Sequence, residues 1–341
     1  MRDQQSDGWS RREFLKGVSL AGTATLLGLH SESVAAEPPP ETTNVRLIRS
    51  PDICLAPLYM AEELLRSEGF TDVQYVQGTG GQDDVKLLAT GATDFIGGFV
   101  GRHLAGLDAG DPIVILSGLH IGCFELFGNH RIRSIRDLKG KQVAVTRLTS
   151  GRHIFLSVIA GHVGLDPRKD INWVTDPAAK SMELFADGSI DAYMAFPPEP
   201  QELRAKKIGH VVVNTMLDRP WSQYFCCMVV GNREFVRKYP IATKKTLRAI
   251  LKANSICALE PTRSAKRLVD KWYPTTNYDY ALQTIKEIPY GQWREYDPED
   301  TVRFYSLRMN EVGMIKSSPQ KIIAQGSDWR FLKELKKEMK G

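Results

Sequence analysis

The sequence predicts an α/β protein of two similar lobes, with a helical C-terminal block that packs on the first lobe. Three observations support this prediction. Strand and helix patterns alternate from residue 44, and the alternation restarts near residue 132. A short internal repeat occurs once in each half, and strand patterns are absent after residue 232. The 341-residue length also suits two lobes better than one core.

The first lobe begins with a strand pattern at residues 44–49, where apolar and polar positions alternate. Pro57 then opens a helix whose apolar residues recur at helical spacing, and Gly69 ends it. Further strand patterns follow, separated by helix patterns, at residues 73–76, 94–96 and 113–116. Alternation of this kind predicts a mostly parallel sheet covered by helices.

In the second half, a short capped helix at residues 134–138 is followed by a strand pattern at residues 142–146. A helix then begins at Ser150 or Gly151 and ends near Gly164. The internal repeat pairs residues 87–95 with residues 184–192 and shares Leu, Ala, Gly and Asp at the same offsets. Each copy predicts a helix that ends on a left-handed glycine and turns through Asp into a strand.

The C-terminal block is predicted to be mostly helical. Its helix patterns cover residues 242–258, 261–272, 279–287, 298–312 and 329–340. Because the block has no strand pattern, it cannot form a sheet of its own. We therefore expect its helices to pack on the first lobe.

The N-terminus has the features of an export signal. Arg11 and Arg12 precede an uncharged, moderately apolar run at residues 17–29, and small residues precede the Pro-rich stretch that starts at residue 37. The paired arginines predict the Tat route. The alternative, an amphipathic helix of the folded domain, is disfavoured because Gly, Ser and Thr crowd the run. We therefore predict a Tat signal at residues 1–36, a linker at residues 37–43, and a periplasmic protein without a lipid anchor.

Composition excludes several classes of function. The formal net charge is +5, from 45 Lys and Arg against 40 Asp and Glu, and the charges are dispersed, so a nucleic-acid partner is not expected. The five cysteines do not have the spacing of a disulfide scaffold, and the seven histidines lack metal-ligand spacing. We predict no metal and no cofactor. Cys226 and Cys227 are adjacent in a predicted strand, so their side chains are expected to point to opposite faces.

Four features carry a resemblance to a known family. They are Ala56-Pro57-Leu58-Tyr59-Met60-Ala61, the Gly-rich turn Gly78-Thr79-Gly80-Gly81 before a helix, Gly91-Ala92-Thr93-Asp94-Phe95, and the run from Ser134 to Val145 that contains Asp137-Leu138-Lys139-Gly140-Lys141. They resemble the nitrate/sulfonate/taurine group of ABC-transporter solute-binding proteins, which includes thiamine-pyrimidine-synthase-like members. The cysteine-rich iron motif of those synthases is missing here, which argues against their activity.

The resemblance implies a type 2 periplasmic binding fold, in which two lobes are joined by two crossing segments and close on a ligand. The outward crossing segment is expected at residues 123–129 and the return crossing segment at residues 223–230. The first lobe would then comprise residues 44–131 and the second residues 132–222. Residues 223–341 would supply the return strand and the C-terminal helical part of the first lobe.

Candidate ligand-binding residues follow from the rule that open α/β sheets bind ligands beyond the carboxyl ends of their strands. The resemblance agrees at Thr149, Ser150 and Gly151, and more loosely at Phe99 and Phe196. Glycine turns can equally be plain caps, arginines can face solvent, and aromatic residues can fill a core. The full predicted set is Pro57, Tyr59, Thr79, Gly80, Gly81, Phe99, Arg102, Thr149, Ser150, Gly151, Arg152, Phe196 and Tyr224.

These features predict a monomeric receptor that is exported by the Tat translocase. The receptor is expected to deliver a small molecule to an ABC permease without covalent chemistry. The ligand is left open between a sulfonate-, nitrate- or taurine-like anion and a pyrimidine-like ring. The alternatives are a Tat-exported enzyme with a bound cofactor and a pyrimidine-synthase-like enzyme.

Overall fold

A computed structural model describes residues 37–50, 52–78 and 82–339. Within them lie two five-stranded mixed sheets, with helices between most of the strands that are successive along the chain. The predicted α/β class and two-lobed architecture are therefore confirmed. The predicted Tat signal, at residues 1–36, lies outside the described residues.

The first sheet has the strand order β2-β1-β3-β10-β4. Strands β1 to β3 run parallel, and β10 lies antiparallel between β3 and β4. The strands are β1 (Asn44–Arg49), β2 (Asp72–Gln77), β3 (Phe95–Phe99), β4 (Ile113–Ile121) and β10 (Phe225–Asn232). The helices beside them are α1 (Ala56–Met60), α2 (Glu62–Ser67), α3 (Gln82–Ala89) and α4 (Val100–Asp108).

The second sheet has the order β7-β6-β8-β5-β9. Its strands are β5 (Glu125–Gly128), β6 (Lys141–Val145), β7 (Ile171–Thr175), β8 (Ala192–Ala195) and β9 (His210–Asn214). Its helices are α5 (Gly151–His162), α6 (Ala178–Ala186) and α7 (Glu199–Lys206). Strand β5 pairs with β8 and β9 and therefore belongs to the second sheet. The second sheet thus includes residues that precede residue 132, the predicted start of the second lobe.

The C-terminal block contributes helices α8 (Arg233–Lys238), α9 (Pro240–Leu259), α10 (Pro261–Arg267), α11 (Tyr278–Glu287), α12 (Pro298–Glu311), α13 (Pro319–Gly326) and α14 (Arg330–Glu338). Helix α9 contacts α1, α14 and β4, and the Asn254 amide donates to the Leu119 carbonyl of β4 at 2.8 Å. The block thus packs on the first lobe. Among the described residues, no helix combines the length and the apolar character needed to cross a membrane.

Short turns of other helix types connect these elements. Four are 3₁₀ helices: Ile53–Leu55, Ile135–Leu138, Trp221–Gln223 and Tyr290–Arg294. One is a π-helical turn, Leu268–Trp272, which continues α10.

The internal repeat marks the same corner in both lobes. The Asp94 N–H donates to the Arg46 carbonyl, and the Asp94 carboxylate accepts from the Arg46 N–H, both at 2.8 Å. Asp191 makes the same two bonds with Gln142, at 2.9 and 3.1 Å. Each aspartate therefore fastens the strand that it begins to the neighbouring parallel strand. The equivalence predicted from the sequence repeat is confirmed at the level of individual hydrogen bonds.

We expect the two aspartates to differ in their effect on stability, because their side chains are 3% and 13% exposed for Asp94 and Asp191. Asp94→Ala should lower the free energy of unfolding by about 2 kcal/mol, since it leaves the partly buried Arg46 N–H and guanidinium without their charged acceptor. Asp191→Ala should cost about 1 kcal/mol. Chemical unfolding followed by circular dichroism measures both, and equal losses would contradict the argument.

Candidate functional site

A cavity of about 380 Å³ lies between the two lobes, within the range of roughly 300–1,000 Å³ typical of small-molecule sites. It is lined by the loop after β1, the first turns of α4 and α5, and the loop between β8 and α7. These positions lie beyond the carboxyl ends of strands, as the general rule for open α/β sheets requires. Six of the predicted site residues line it: Phe99, Arg102, Ser150, Gly151, Arg152 and Phe196.

Three phenylalanines form an apolar wall of the cavity. Phe124 lies between the other two, with ring centroids 5.4 Å from Phe99 and 4.7 Å from Phe196. Phe155 packs against this wall, with its ring stacked on that of Phe99 at a centroid distance of 4.9 Å. All of these rings are buried. A ligand in the cavity would therefore contact apolar surface on one side.

Arg102 is a buried cation in this cavity, 6% exposed, in the first turn of α4. Its nearest carboxylate is Asp52, with Nη2 and Oδ2 3.8 Å apart, too far for a hydrogen bond. The Arg102 Nε is buried without a hydrogen-bond partner among the described residues. A Cβ on Gly98 would overlap this guanidinium, so the absence of a side chain there gives it room.

Asp52 is held by Ser50, whose hydroxyl donates to its carboxylate at 2.8 Å. Burial raises the pKa of the Asp52 carboxyl, and the positive charge of Arg102 opposes that rise. Since the Arg102–Asp52 pair is long and leaves Nε unsatisfied, it leaves hydrogen-bonding capacity for a ligand with negatively charged oxygen atoms.

The first turn of α5 faces the same cavity. The Ser150 hydroxyl oxygen accepts from the His153 N–H at 3.3 Å and so caps the helix. Ser150 is also a cavity residue, and its own O–H proton can still be donated to a ligand. A Cβ on Gly151 would meet Phe99 and Phe124 carbons at 3.5 and 3.6 Å, which is ordinary contact. Backbone N–H groups at such a helix start favour an anion.

Arg152 lines the cavity, but its charge is already paired. Its Nη1 and Nη2 donate to both carboxylate oxygens of Glu199 at 2.5 and 2.8 Å, and Nη1 also donates to the Tyr193 hydroxyl and the Met194 carbonyl. Burial alone would lower the pKa of Arg152, but Glu199 raises it well above its ordinary value. Glu199 also accepts from the Phe196 N–H at 3.1 Å. The pair therefore fixes the loop that carries Phe196.

Four predicted residues lie away from this cavity. Tyr59 is fully buried, and its hydroxyl bonds the Ser50 carbonyl and N–H at 2.8 and 2.9 Å. Pro57 is buried in α1, and Tyr224 stacks on Phe304 with centroids 4.0 Å apart. Thr149, at a left-handed φ of 68°, lines a different cavity beside α5. The remaining predictions, Thr79, Gly80 and Gly81, lie outside the described residues.

Eight residues that line the cavity were not in the predicted set, and three of them, Asp52, Phe124 and Glu199, make the contacts described above. A signal existed for two of them. Asp52 lies in the loop after β1 that the strand-end rule selects, and Glu199 follows β8 by a few residues. Phe124 lies in the expected outward crossing segment, where the sequence pattern does not separate a cavity wall from a buried hinge.

The sequence profile of the NMT1-like family matches residues 39–271. The chain belongs to the NMT1-like family. Among relatives, the bicarbonate-binding protein CmpA of Synechococcus elongatus is 27% identical over 101 residues, which are 30% of this chain and 22% of CmpA. The match thus spans about a fifth of that relative's length.

Solved structures of other proteins share the fold of this NMT1-like chain. The periplasmic nitrate-binding protein NrtA of Synechocystis PCC 6803 has a TM-score of 0.74 at 15% identity, over 89% of this chain and 90% of NrtA. The alkanesulfonate-binding protein SsuA of Xanthomonas axonopodis pv. citri, bound to MOPS, has a TM-score of 0.64 at 18% identity, over 82% and 97% of the two chains. At these identities the likeness establishes a periplasmic binding protein fold.

The Arg152–Glu199 pair should be more important for stability than for ligand charge. Arg152→Met leaves the Glu199 carboxylate, 13% exposed, without its cation, and should lower the free energy of unfolding by about 3–5 kcal/mol. Adding Glu199→Gln to the same chain should recover part of that loss, because the uncompensated charge is gone. Arg136→Met, at an exposed arginine of the second lobe, is the control and should change little. Urea unfolding of the four proteins measures this, and an unaffected Arg152→Met protein would contradict it.

Proposed function

We propose that this protein is the solute-binding component of an ABC importer and that it captures a small organic anion between its lobes. The observation that carries the proposal is Arg102, a buried guanidinium that lies in the cavity with an unsatisfied Nε and a distant counter-ion. A buried charge of this kind is costly unless a partner completes its hydrogen bonds.

The rest of the cavity supports the same ligand class. Three arginines and two carboxylates line it, namely Arg102, Arg147, Arg152, Asp52 and Glu199. Arg152 is paired with Glu199 and Arg147 with Asp83, which leaves Arg102, with its distant partner Asp52, as the cation available to a ligand. The first turns of α4 and α5 add the positive ends of two helix dipoles. The phenylalanine wall fits an apolar group attached to the anion. The bicarbonate-, nitrate- and alkanesulfonate-binding names of the similar proteins support an anion as the shared chemistry.

The connections between the lobes support capture by closure. The chain passes between the sheets twice, after β4 and after β9, which is the arrangement of a two-segment hinge. Asp83 on α3 of the first lobe and the cavity residue Arg147, after β6 of the second lobe, form an ion pair between the lobes at 3.1 Å, with both side chains well exposed. A ligand held by residues of both lobes would favour the closed arrangement that a permease recognises.

Titration calorimetry with an alkanesulfonate, nitrate, bicarbonate, taurine and a pyrimidine tests the ligand class. We expect the alkanesulfonate to bind most tightly, because only an organic anion uses both Arg102 and the phenylalanine wall. Arg102→Met should weaken that binding about 10- to 100-fold, the value of one charge-assisted hydrogen-bonding group. The control, Arg136→Met, should leave the affinity unchanged.

Two further measurements separate the receptor from the alternatives. Small-angle scattering should show a smaller radius of gyration with bound alkanesulfonate, and mass spectrometry should recover the bound molecule chemically unchanged. Tighter binding of the pyrimidine than of any anion, or equal affinity in the Arg102→Met protein, would contradict the proposed ligand. Conversion of the bound molecule would favour an enzyme.

We also propose export by the Tat route, which the Ser10-Arg11-Arg12-Glu13-Phe14-Leu15-Lys16 string of the sequence supports. The double substitution Arg11→Lys with Arg12→Lys keeps the charge of the signal and removes its paired arginines. Fractionation should find the variant precursor in the cytoplasm and the unmodified protein in the periplasm. Normal export of the variant would contradict the Tat assignment.

A further inference from the structure

Outside the cavity lining, four buried side chains bring together the ligand types that soft metal ions prefer. The Sγ atoms of Cys54, Cys123 and Cys227 and a ring nitrogen of His120 all lie within 4.8 Å of one another. Each of the four residues is at most 1% exposed. They come from three separate parts of the chain: the 3₁₀ turn after β1, the end of β4 with the segment that follows it, and β10. The fold, rather than a sequence motif, assembles this group.

The orientation of His120 is that of a metal ligand. Its Nδ1 lies 3.1 Å from the Ile121 carbonyl, which assigns the proton to Nδ1 and the lone pair to Nε2. That Nε2 is buried and has no hydrogen-bond partner among the described residues. Histidines that bind metals characteristically donate their other ring N–H to a backbone carbonyl or carboxylate. An ion at Nε2 would satisfy this otherwise unpaired atom.

A β-bulge brings the return strand into the group. Phe225 pairs with Ile121 and Cys227 with His120, so two steps along β10 match one step along β4 and Cys226 is the extra residue. The sequence predicts opposite orientations for Cys226 and Cys227, and this prediction is wrong. Both approach Cys123, with the Cys226 Sγ at 3.1 Å from the Cys123 Sγ, because the bulge interrupts the alternation of a regular strand.

We propose that Cys54, His120, Cys123 and Cys227 bind one zinc ion in a tetrahedral site. Three thiolates and one imidazole are an established ligand set for structural zinc, and bonds of about 2.3 Å to sulfur at tetrahedral angles place ligand atoms roughly 3.5–3.8 Å apart. The observed upper limit of 4.8 Å is within about 1 Å of that requirement. Binding of the ion releases the three thiol protons to solvent. The proposal departs from the expectation, drawn from sequence spacing, that no metal is bound.

The position of the site suggests what the ion does. Cys54 follows the cavity residue Asp52 by two positions, and Cys123 directly precedes Phe124. Cys123 also lies where the chain leaves the first lobe, and Cys227 where it has returned. A zinc ion would therefore fasten both inter-lobe segments to the loop after β1, close to residues that line the ligand cavity. This role does not depend on the identity of the ligand.

Metal analysis of the full chain tests the assignment. Protein produced in zinc-supplemented medium and purified without chelators should contain one zinc per chain by mass spectrometry. Cobalt in its place should give the intense visible spectrum of a tetrahedral thiolate site. Neither measurement needs a variant, so a variant that folds poorly does not decide the outcome. Removal of zinc by a chelator should lower the melting temperature.

Matched cysteine variants then locate the ion. Cys54→Ser and Cys227→Ser should each reduce zinc to background. Cys226→Ser, beside the site, and Cys257→Ser, at a buried cysteine outside it, should retain one zinc per chain. Zinc lost equally from the two controls would overturn the proposed ligand set.

Three other outcomes would overturn the proposal. The first is native protein that takes up neither zinc nor cobalt. The second is a Cys123–Cys226 disulfide in the exported protein, since an oxidising compartment permits one and the two sulfur atoms are close. It would remove one ligand from the set, and peptide mapping without reduction detects it. The third is iron or copper at the same four ligands, which would replace the zinc assignment.

Discussion

The central constraint on this structure is the insertion of β10 between β3 and β4 of the first sheet. The chain leaves the first lobe after β4 and forms the second sheet. It then returns as an antiparallel strand that joins β3 to β4 in the first sheet. Every residue of β10 is buried, and the strand pairs with β3 on one side and with β4 on the other, where the pairing is interrupted by the bulge at Cys226. The cavity between the lobes, the two inter-lobe segments and the cysteine group all follow from this one pairing.

The partners of two cavity arginines determine whether each guanidinium is used within the protein or has hydrogen-bonding capacity left for a ligand. Arg152 donates hydrogen bonds to both oxygens of a carboxylate, a hydroxyl and a carbonyl, and its guanidinium also lies over the Phe196 ring. Arg102 is more deeply buried, yet its carboxylate partner is beyond hydrogen-bond distance. Both are cations near helix starts, and the residue pattern does not show which of them has a carboxylate partner. The difference depends on Glu199, which reaches Arg152 from another element, and on the space left by Gly98.

The sequence predicted the architecture well because its signals are local. Strand patterns were found at the positions of β1 to β4 and β6, although β9 was not predicted, and the repeated Asp94 and Asp191 corners form the same backbone bonds in both lobes. The strand-end rule brought six predicted residues to one cavity, but it also selected Tyr59, whose hydroxyl is used within the core. Long-range features were missed. The bulge at Cys226 and the approach of Cys54 to Cys227 depend on strand register, which spacing along the chain does not encode.

The cavity and the proposed zinc site use residues of the same two chain segments, the loop after β1 and the segment after β4. This shared position suggests a physical role for a buried metal. The proposed recognition of a ligand would require Asp52, Arg102 and Phe124 to hold their positions while the two lobes close. The loop that carries Asp52 is short, and the segment that carries Phe124 is part of the proposed hinge. Ordering such segments only when a ligand binds would cost conformational entropy and weaken affinity. Three thiolates and an imidazole around one ion would order them beforehand, since Cys54 and Cys123 belong to those same two segments. The first lobe could then present Arg102 in a fixed place, and closure would only need to bring the second lobe to it.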